Sequence, residues 1–238
     1  MKRGKGEPVL HLYCVRRSHD AGPAGDLEGI DGAPVRQLFA GSLAAWISEV
    51  EVGPPTLDRL RQHERVMRHA LRSTTPIPFR YGQRLLGDEE VRHLLEEREA
   101  DFTSTLEWLG DRVEMGVRIT PGEAKESQPR HPSLEPAKLA GEAPGTAYLR
   151  ARRAALAEAE VARSAAADLL DSLQEWLADL RLPAVQSPGS GPEVAVGLAH
   201  LVHRGEVRIY LDRIAELRSA RPDLRFVVTG PWAPYSFV

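Results

Sequence analysis

The chain has 238 residues, of which 42% are apolar and 27% are charged, and its formal net charge is −3. This composition is typical of a soluble globular protein, and the charge gives no general reason to bind nucleic acid or an anionic membrane. Cys14 is the only cysteine, so an internal disulfide is excluded and a reducing cytoplasm fits. The N-terminus is not a signal peptide, and no stretch approaches the roughly 18 to 20 apolar residues that cross a bilayer. We therefore expect a cytoplasmic protein that binds neither nucleic acid nor membrane.

Two strand patterns begin the chain. Residues 9–15 are apolar and β-branched at both ends, which predicts a strand, and a loop rich in glycine and proline comes after it. Residues 35–52 contain two apolar runs on either side of Gly41-Ser42. That spacing predicts a hairpin.

A helix is predicted from Thr56, which comes after two prolines and is suited to cap the helix. Apolar residues recur at helical spacing and fall on one face: Leu57, Leu60, Met67 and Leu71. Glu64 breaks this pattern. These four residues are therefore predicted to form one apolar face of the helix.

A further helix and strand complete this part of the chain. Residues 76–82, PIPFRYG, are kept extended by their prolines. Residues 88–109 predict one helix with Asp88 as its cap, and residues 113–119 alternate as a strand does. The stripe of the helix is formed by Val91, Leu94, Leu95, Phe102, Leu106 and Leu109. This order of elements predicts helices packed on one sheet.

Residues 121–145 hold five prolines and three glycines and predict a linker. It divides the chain into an N-terminal domain of residues 1–120 and a C-terminal domain of residues 146–238. A single helical pattern fills residues 146–180 and opens the second domain. Strands at 193–203 and 224–229 then flank a short helix near 206–219.

The predicted fold class is therefore α+β, with two small α/β sandwiches of ferredoxin-like character. A long helix enters the second domain, and an aromatic tail ends it. The long helix places Arg150, Arg152 and Arg153 in its first turns, where positive charge opposes the helix dipole. These arginines are either a solvated face with local partners or part of a docking surface.

The sequence contains no catalytic constellation that we recognise. His63 and His69 lie six residues apart in HERVMRH, whereas a helical zinc pair needs a spacing of four. His200 and His203 are three apart on a predicted strand and point to opposite faces. Neither a phosphate-binding Gly-rich loop nor a nucleophile elbow is present. We therefore predict no catalytic residue, no metal and no cofactor.

The C-terminal segment is unusually aromatic. Gly230-Pro231 is predicted to break the last strand, and Pro234 stiffens the residues next to it. Trp232, Tyr235 and Phe237 are then presented from an extended segment. The tail either folds back into a groove of its own protein, between the two predicted domains, or anchors a partner, since tryptophan and tyrosine are favoured at binding hot spots.

The ending TGPWAPYSFV resembles the C-terminal signature of the gas vesicle GvpF/GvpL family. Further similarity runs in order through HLYCVR, residues 29–50, PIPFRYGQRL and VEMGVRI, and then through GTAYLRARR at the start of the long helix. The tail is the most specific of these motifs. The predicted linker has no counterpart in the resemblance, so nothing is carried over there.

This resemblance implies a gas vesicle accessory protein with two α+β domains and no enzymatic activity. It implies binding to the hydrophobic shell protein GvpA and to other accessory proteins, in support of vesicle nucleation and assembly. The implied location is the cytoplasm or the gas vesicle, including its gas-facing surface. A binder with apolar helix faces suits the task of keeping a hydrophobic subunit from aggregating.

Two other functions remain open at this stage. Paired α+β domains also carry small-molecule or enzyme sites, for which a cleft with strongly perturbed titratable groups is the marker. An arginine-dependent nucleic-acid binder is the other alternative. The predicted interaction residues are first the tail, Trp232, Pro234, Tyr235 and Phe237, then Phe79, Arg80 and Tyr81, and then the three arginines Arg150, Arg152 and Arg153.

Overall fold

A computed structural model of the chain describes residues 8–20, 25–121, 152–153, 169–180, 182–186 and 196–238. The strands are β1 (Pro8–Arg17), β2 (Arg36–Ala40), β3 (Leu43–Glu51), β4 (Ile77–Pro78), β5 (Arg84–Leu85), β6 (Arg112–Pro121), β7 (Ala184–Gln186), β8 (Val196–His203) and β9 (Leu224–Trp232). The α-helices with both ends described are α1 (Leu57–Ala70), α2 (Asp88–Glu97), α3 (Glu99–Leu109) and α4 (Val207–Ala220). Residues 169–176 are also helical. The predicted α+β class is confirmed.

The first sheet is antiparallel and has the order β2-β3-β1-β4, with β5 also pairing with β1. The predicted hairpin is confirmed: Gly41 and Ser42 join β2 to β3, and Gly41 has φ +55°. Glycine adopts this left-handed conformation without steric cost, which is why the turn forms at this point. The predicted first strand is also confirmed and is longer than expected.

One face of this sheet packs against α2 and α3. Leu12 and Val15 of β1 are fully buried there, in one cluster with Val91, Leu95 and Leu109 from the helices. The helical stripe predicted for residues 88–109 therefore faces the core. The helix itself is interrupted, however, because Arg98 leaves helical geometry between α2 and α3.

Asp88 is not the helix cap that we predicted. Gly87 holds the cap position, and Asp88 lies in the first turn. Its carboxylate instead accepts hydrogen bonds from the Arg36 guanidinium of β2, which lowers the pKa of Asp88. A capping preference could not anticipate this partner, because Arg36 is 52 residues away in the chain.

The opposite face of the sheet packs against α1. Thr56 caps this helix as predicted, with its hydroxyl accepting a hydrogen bond from the Arg59 amide at 3.3 Å. The predicted apolar face is half right, because Met67 and Leu71 are buried, whereas Leu57 and Leu60 are 62% and 42% exposed. The buried face of the helix is formed by His63, Val66, Met67 and Ala70.

The second sheet has the order β7-β8-β6-β9. The alternation predicted for residues 113–119 is confirmed in β6, where Val113, Met115, Val117 and Ile119 are buried. The strand–helix–strand order predicted for the last third of the chain is confirmed by β8, α4 and β9. Most of the long helix predicted for residues 146–180 lies outside the described residues.

The chain divides into two compact units. Unit 1 comprises residues 1–115, 200–206 and 229–238, and unit 2 comprises 116–199 and 207–228. The predicted linker lies outside the described residues except for Pro121, so the division into domains 1–120 and 146–238 stays a prediction. No helix within the described part of the chain has the length and apolar character needed to cross a membrane.

Candidate functional site

The C-terminal tail, residues 229–238, is an integral part of unit 1. The prediction that Gly230-Pro231 breaks the last strand is wrong, since β9 continues to Trp232. Proline is tolerated here because β9 is an outer strand of its sheet, where a missing N–H is not needed for pairing. Gly230 has φ +117°, and a Cβ at this position would lie 2.7 Å from the Glu114 carbonyl oxygen.

Tyr235 anchors the tail to α1 by a chain of hydrogen bonds. Its hydroxyl lies 3.1 Å from Nε2 of His63, and Nδ1 of His63 lies 2.9 Å from Nε2 of His11 on β1. A neutral imidazole has one donor and one acceptor nitrogen, so each of these bonds has one donor and one acceptor. The tail is thus connected to the central strand of unit 1 through two buried histidines.

Further aromatic rings surround these histidines. The Tyr13 ring stacks on His63 with centroids 5.4 Å apart, and the Tyr81 ring lies 5.5 Å from His11. The Tyr13 hydroxyl is itself fixed, 2.7 Å from the Ser48 hydroxyl, and it accepts a hydrogen bond from the Ile30 amide. We call His11, Tyr13, His63, Tyr81 and Tyr235 the histidine–tyrosine cluster.

Burial changes the protonation of the cluster. It lowers the pKa of His11 to about 3, with the nearby His63 and Arg84 adding to the effect, and it lowers the pKa of His63 to about 4. Burial also raises the pKa of Tyr13 and of Tyr235. Both imidazoles and both phenols are therefore neutral at pH 7, as the hydrogen-bond chain requires.

The residues after Tyr235 make two further contacts with unit 1. The amide and hydroxyl of Ser236 donate hydrogen bonds to the Glu114 carboxylate at 2.8 and 2.9 Å. The Phe237 ring packs at the edge of the main core and lies 6.2 Å from the ring of Trp108 on α3. Pro234 is buried and Trp232 is half-buried. Of the two arrangements considered for the tail, the structure displays the docked one, with unit 1 as the surface.

The second predicted interaction segment joins the same region. Phe79 packs against the main core, with its ring 6.2 Å from that of Phe102. Tyr81 belongs to the histidine–tyrosine cluster, whereas the Arg80 side chain is exposed. The structure therefore brings Tyr81 and Tyr235 to one site, although the sequence pattern indicates two separate segments.

The predicted arginine group lies only partly within the described residues. Arg152 and Arg153 are exposed and helical, and Arg150 lies outside the described residues. A role for these three side chains in docking stays a prediction.

The histidines of the HERVMRH segment have different surroundings. His63 faces the sheet and contacts His11, while the ring of His69 lies 5.9 Å from Trp46. Across the described ranges, no group of three or more His, Cys, Asp or Glu side chains is placed to hold a metal ion.

A separate cleft of about 500 Å³ lies elsewhere on unit 1. It is lined by Arg17, His19, Asp20, Ser73, Thr74, Thr75, Leu106, Glu107, Gly110 and Asp111. Its charged groups pair across it, with Arg17 and Glu107 3.3 Å apart. Beneath it lies buried Arg16, whose guanidinium donates hydrogen bonds to the hydroxyls of Ser73 and Thr74. None of the histidine–tyrosine cluster lines this cleft.

The family model described as gas vesicle synthesis protein GvpL/GvpF matches residues 9–238. The chain belongs to the GvpL/GvpF family. Gas vesicle protein L of Streptomyces sp. (strain CB03234) is 32% identical to it, over 96% of this chain and 92% of the relative. Gas vesicle protein F of the same strain is 29% identical, over 96% of this chain and 98% of the relative.

Two crystal structures of GvpL/GvpF family members share the fold. GvpF from Anabaena sp. PCC7120 matches with a TM-score of 0.77 at 20% identity, over 97% of this chain and 95% of that one. GvpF from Microcystis aeruginosa matches with a TM-score of 0.75 at 20% identity, over 96% and 98% of the two chains. The resemblance found in the sequence is therefore confirmed, and family membership supports a role in gas vesicle formation.

Two residues that hold the tail of this GvpL/GvpF member were not predicted from the sequence. His11 only interrupts an apolar run, and Glu114 only occupies an outward position of an alternating strand. The buried Arg16 beneath the separate cleft was not predicted either; it is 2% exposed although arginines are rarely buried. The one available signal was a polar residue inside an apolar strand, which predicts a buried partner without identifying it.

Proposed function

We propose that this protein is a gas vesicle accessory protein that binds the shell protein GvpA and other accessory proteins during vesicle nucleation and assembly. Membership of the GvpL/GvpF family over residues 9–238 supports the assembly role. The proposal adds direct contact with GvpA, whose hydrophobic surface needs protection before it is incorporated.

The observation that carries the binding proposal is a set of exposed apolar side chains that lie directly after β3, directly after β5 and in the first turn of α1. Leu86 is 85% exposed, Leu57 62%, Val52 49% and Leu60 42%. The Arg84 guanidinium donates a hydrogen bond to the Gly53 carbonyl, which brings the β5 end beside the loop that precedes α1. We call Val52, Leu57, Leu60 and Leu86 the apolar patch. Exposed apolar surface of this kind marks protein-binding sites.

Co-purification of GvpA tests this proposal. Tagged full-length chain is co-expressed with GvpA, and GvpA is measured in the soluble material that the tag retains. We expect the natural chain to retain GvpA and Leu57→Ser/Leu86→Ser to retain at least about tenfold less, since each exposed leucine contributes on the order of 1 kcal/mol when covered. Failure of the natural chain to retain GvpA, or equal retention by the double variant, would refute the proposal.

Phe39→Ser is the matched control for the patch variant. Phe39 is 52% exposed and lies on β2, opposite Ala44 near the hairpin turn. The patch residue Val52 lies eight residues along the chain from Ala44, about 25 Å away at the rise of a strand. We expect Phe39→Ser to retain GvpA as the natural chain does.

The enzymatic alternative has less support. A catalytic site is expected where strongly perturbed titratable groups meet in a cleft. The perturbed groups of unit 1 include His11, Cys14 and His63, and these are buried inside it. They do not line the cleft described above. We therefore propose that the protein acts by binding and not by catalysis.

A further inference from the structure

In unit 1 the first sheet lies between a basic surface on α1 and an acidic surface on α2–α3. Leu10 and Leu12 of β1 face the core shared with α2 and α3. His11 between them points to the other face, because side chains alternate along a strand, and it bonds to His63 of α1. The outer surfaces of α1 and of α2–α3 are therefore on opposite sides of the unit, at least two helix diameters or about 20 Å apart.

The outer surface of α1 is strongly basic. Residues 57–72 contain five arginines and two acids. Four of the arginines succeed one another at spacings of four, three and four, which places them on one side of the helix, and all four are exposed. We call them the arginine face: Arg61, Arg65, Arg68 and Arg72.

Contacts inside the chain neutralise this face only weakly. Arg61 lies 3.6 Å from Asp58, and the two side chains are 69% and 85% exposed. Arg68 lies 3.7 Å from Glu64, a half-buried carboxyl whose pKa is raised by burial. Exposed pairs of this kind contribute about 1 kcal/mol or less. The arginine face thus keeps most of its charge for a partner.

The outer surface of α2–α3 carries the opposite charge. Residues 88–109 contain eight acids and two arginines. Some of these acids have partners inside the chain: Asp88 with Arg36, Glu97 with His93, Glu99 with Ser42, Asp101 with Arg98 and Glu107 with Arg17. Glu96, Glu97, Glu99 and Glu107 line one shallow groove with Ser42. We call the exposed acids of α2–α3 the acidic face.

We propose that the arginine face of one copy docks on the acidic face of α2–α3 of a second copy. A single chain is unable to join these faces, because the sheet lies between them. A second copy offers complementary charge at equal stoichiometry. The contact is head-to-tail, so a pair of copies keeps one free arginine face and one free acidic face, and further copies add to form a ring or a filament.

Polyanions are a poorer fit to the arginine face. The chain as a whole has a net charge of −3, and the same unit carries a strongly acidic surface. A long polyanion is repelled by that acidic surface wherever it extends beyond α1. A folded copy brings its negative charge on one bounded surface and avoids this repulsion.

Sedimentation velocity of the full chain tests the proposal. In buffer with 50 mM salt we expect the weight-average mass to rise with protein concentration above the 26.3 kDa of one chain. In 500 mM salt we expect the mass of one chain, since exposed charges are screened over about 4 Å there. If the mass in 50 mM salt stayed that of one chain at every protein concentration, the proposal would be overturned.

Charge reversal identifies the two faces. Arg61→Glu/Arg72→Glu makes α1 acidic, and Glu96→Lys/Glu97→Lys removes negative charge from α2–α3 and adds positive charge. We expect each double variant alone to associate at least tenfold more weakly than the natural chain. An equimolar mixture should regain association, because the natural arginine face of the α2–α3 variant meets the natural acidic face of the α1 variant. This recovery also shows that both variants are folded.

A net-charge control separates docking from general repulsion. Arg208→Glu/Arg218→Glu changes the net charge as much as the α1 variant does, but on the exposed surface of α4. We expect this control to associate as the natural chain does. Equal weakening by the control, no recovery in the mixture, or association that nuclease treatment abolishes would each overturn the proposal.

Discussion

Tyr235 is the residue through which the C-terminal tail reaches the interior of unit 1. Its hydroxyl bonds to His63, and His63 bonds to His11, so three side chains from the tail, α1 and β1 depend on one another. Loss of any member leaves a buried polar atom without its partner, which is costly. The cluster therefore ties the docking of the tail to the packing of α1 on the sheet.

Replacing Tyr235 with phenylalanine tests this dependence. Tyr235→Phe removes only the hydroxyl, and we expect the free energy of unfolding to fall by about 1 kcal/mol. Urea denaturation monitored by circular dichroism measures the change. Val238→Ala, at the exposed end of the same tail, should leave the midpoint unchanged. Equal stability of the Tyr235 variant and the natural chain would contradict the role given to the bond.

The buried histidines predict a loss of stability in mild acid. Their pKa values are about 3 for His11 and about 4 for His63 and His200 in the folded chain, against 6.5 for an exposed histidine. The unfolded chain therefore binds more protons, and the free energy of unfolding falls as the pH falls from about 6.5 toward 4. The slope is up to about 1.4 kcal/mol per pH unit for each histidine.

Urea midpoints at pH 7, 6 and 5 measure this slope. His63→Gln should be less stable than the natural chain at pH 7 and should show a shallower dependence on pH, because one proton fewer is bound on unfolding. His93→Gln, on the exposed surface of α2, is the matched control and should keep the natural slope. An unchanged slope in His63→Gln would show that His63 is not the group responsible.

At the scale of elements, β9 approaches β6 closely enough to require glycine. Gly230 has φ +117°, and the carbonyl oxygen of Glu114 lies 2.7 Å from the place of a Cβ. Gly230→Ala is expected to lower the free energy of unfolding by about 2 kcal/mol or more, through backbone strain and the clash. Thermal denaturation measures the effect.

Gly205→Ala provides the comparison for this change. Gly205 lies in the 3-10 turn after β8, and nothing lies within 4 Å of a Cβ placed there. We expect its effect to stay within about 0.5 kcal/mol. Equal effects of the two alanines would mean that the close approach of β9 to β6 is absent in solution.

Local patterns predicted most elements of unit 1. The hairpin around Gly41 and the cap at Thr56 are determined by residues that are close in the sequence, so a local pattern is enough to predict them. The alternation of apolar and polar residues in β6 likewise indicates directly which face of the strand is buried. The break at Arg98 was not predictable, because apolar residues keep helical spacing across it and neither proline nor glycine marks it.

The site was only partly predictable, because its contacts join distant residues. The tail and Tyr81 were selected for their aromatic character, but their meeting depends on His11 and His63, which lie 52 residues apart. The buried face of α1 was assigned only in part for the same reason: Met67 and Leu71 are buried as predicted, but His63 was missed. A histidine belongs in a core only when it has a polar partner, and that partner is on another element.

At the scale of the whole molecule, unit 1 combines four surfaces with different chemistry. The tail occupies one surface, the apolar patch lies after β3 and β5 and in the first turn of α1, and the arginine and acidic faces lie on opposite sides. We propose that the apolar patch contacts a hydrophobic shell subunit and that the two charged faces join copies of the chain, while the chain's own tail occupies the remaining surface. Such a division fits a protein of the GvpL/GvpF family that brings other gas vesicle proteins together.

Complementation in vivo tests whether vesicle formation requires the docked tail. In a host that lacks the gene, we expect Tyr235→Ala/Phe237→Ala to restore fewer vesicles than the full natural chain, because both anchors of the tail are lost. Vesicles are counted by electron microscopy. The variant's melting curve, compared with that of Tyr235→Phe, separates loss of folding from loss of a contact. Full restoration by the double variant would contradict a requirement for the tail.

The most direct measurement is the pressure-sensitive light scattering of cells. The gene is deleted from its gas-vesicle-forming host, and the scattering lost on sudden pressurisation is recorded before and after the full chain is supplied again. We predict that the collapsible scattering disappears on deletion, returns with the full chain, and fails to return with Leu57→Ser/Leu86→Ser. Collapsible scattering that survives the deletion would contradict an essential role in assembly, and full recovery with the patch variant would contradict the proposed contact with GvpA.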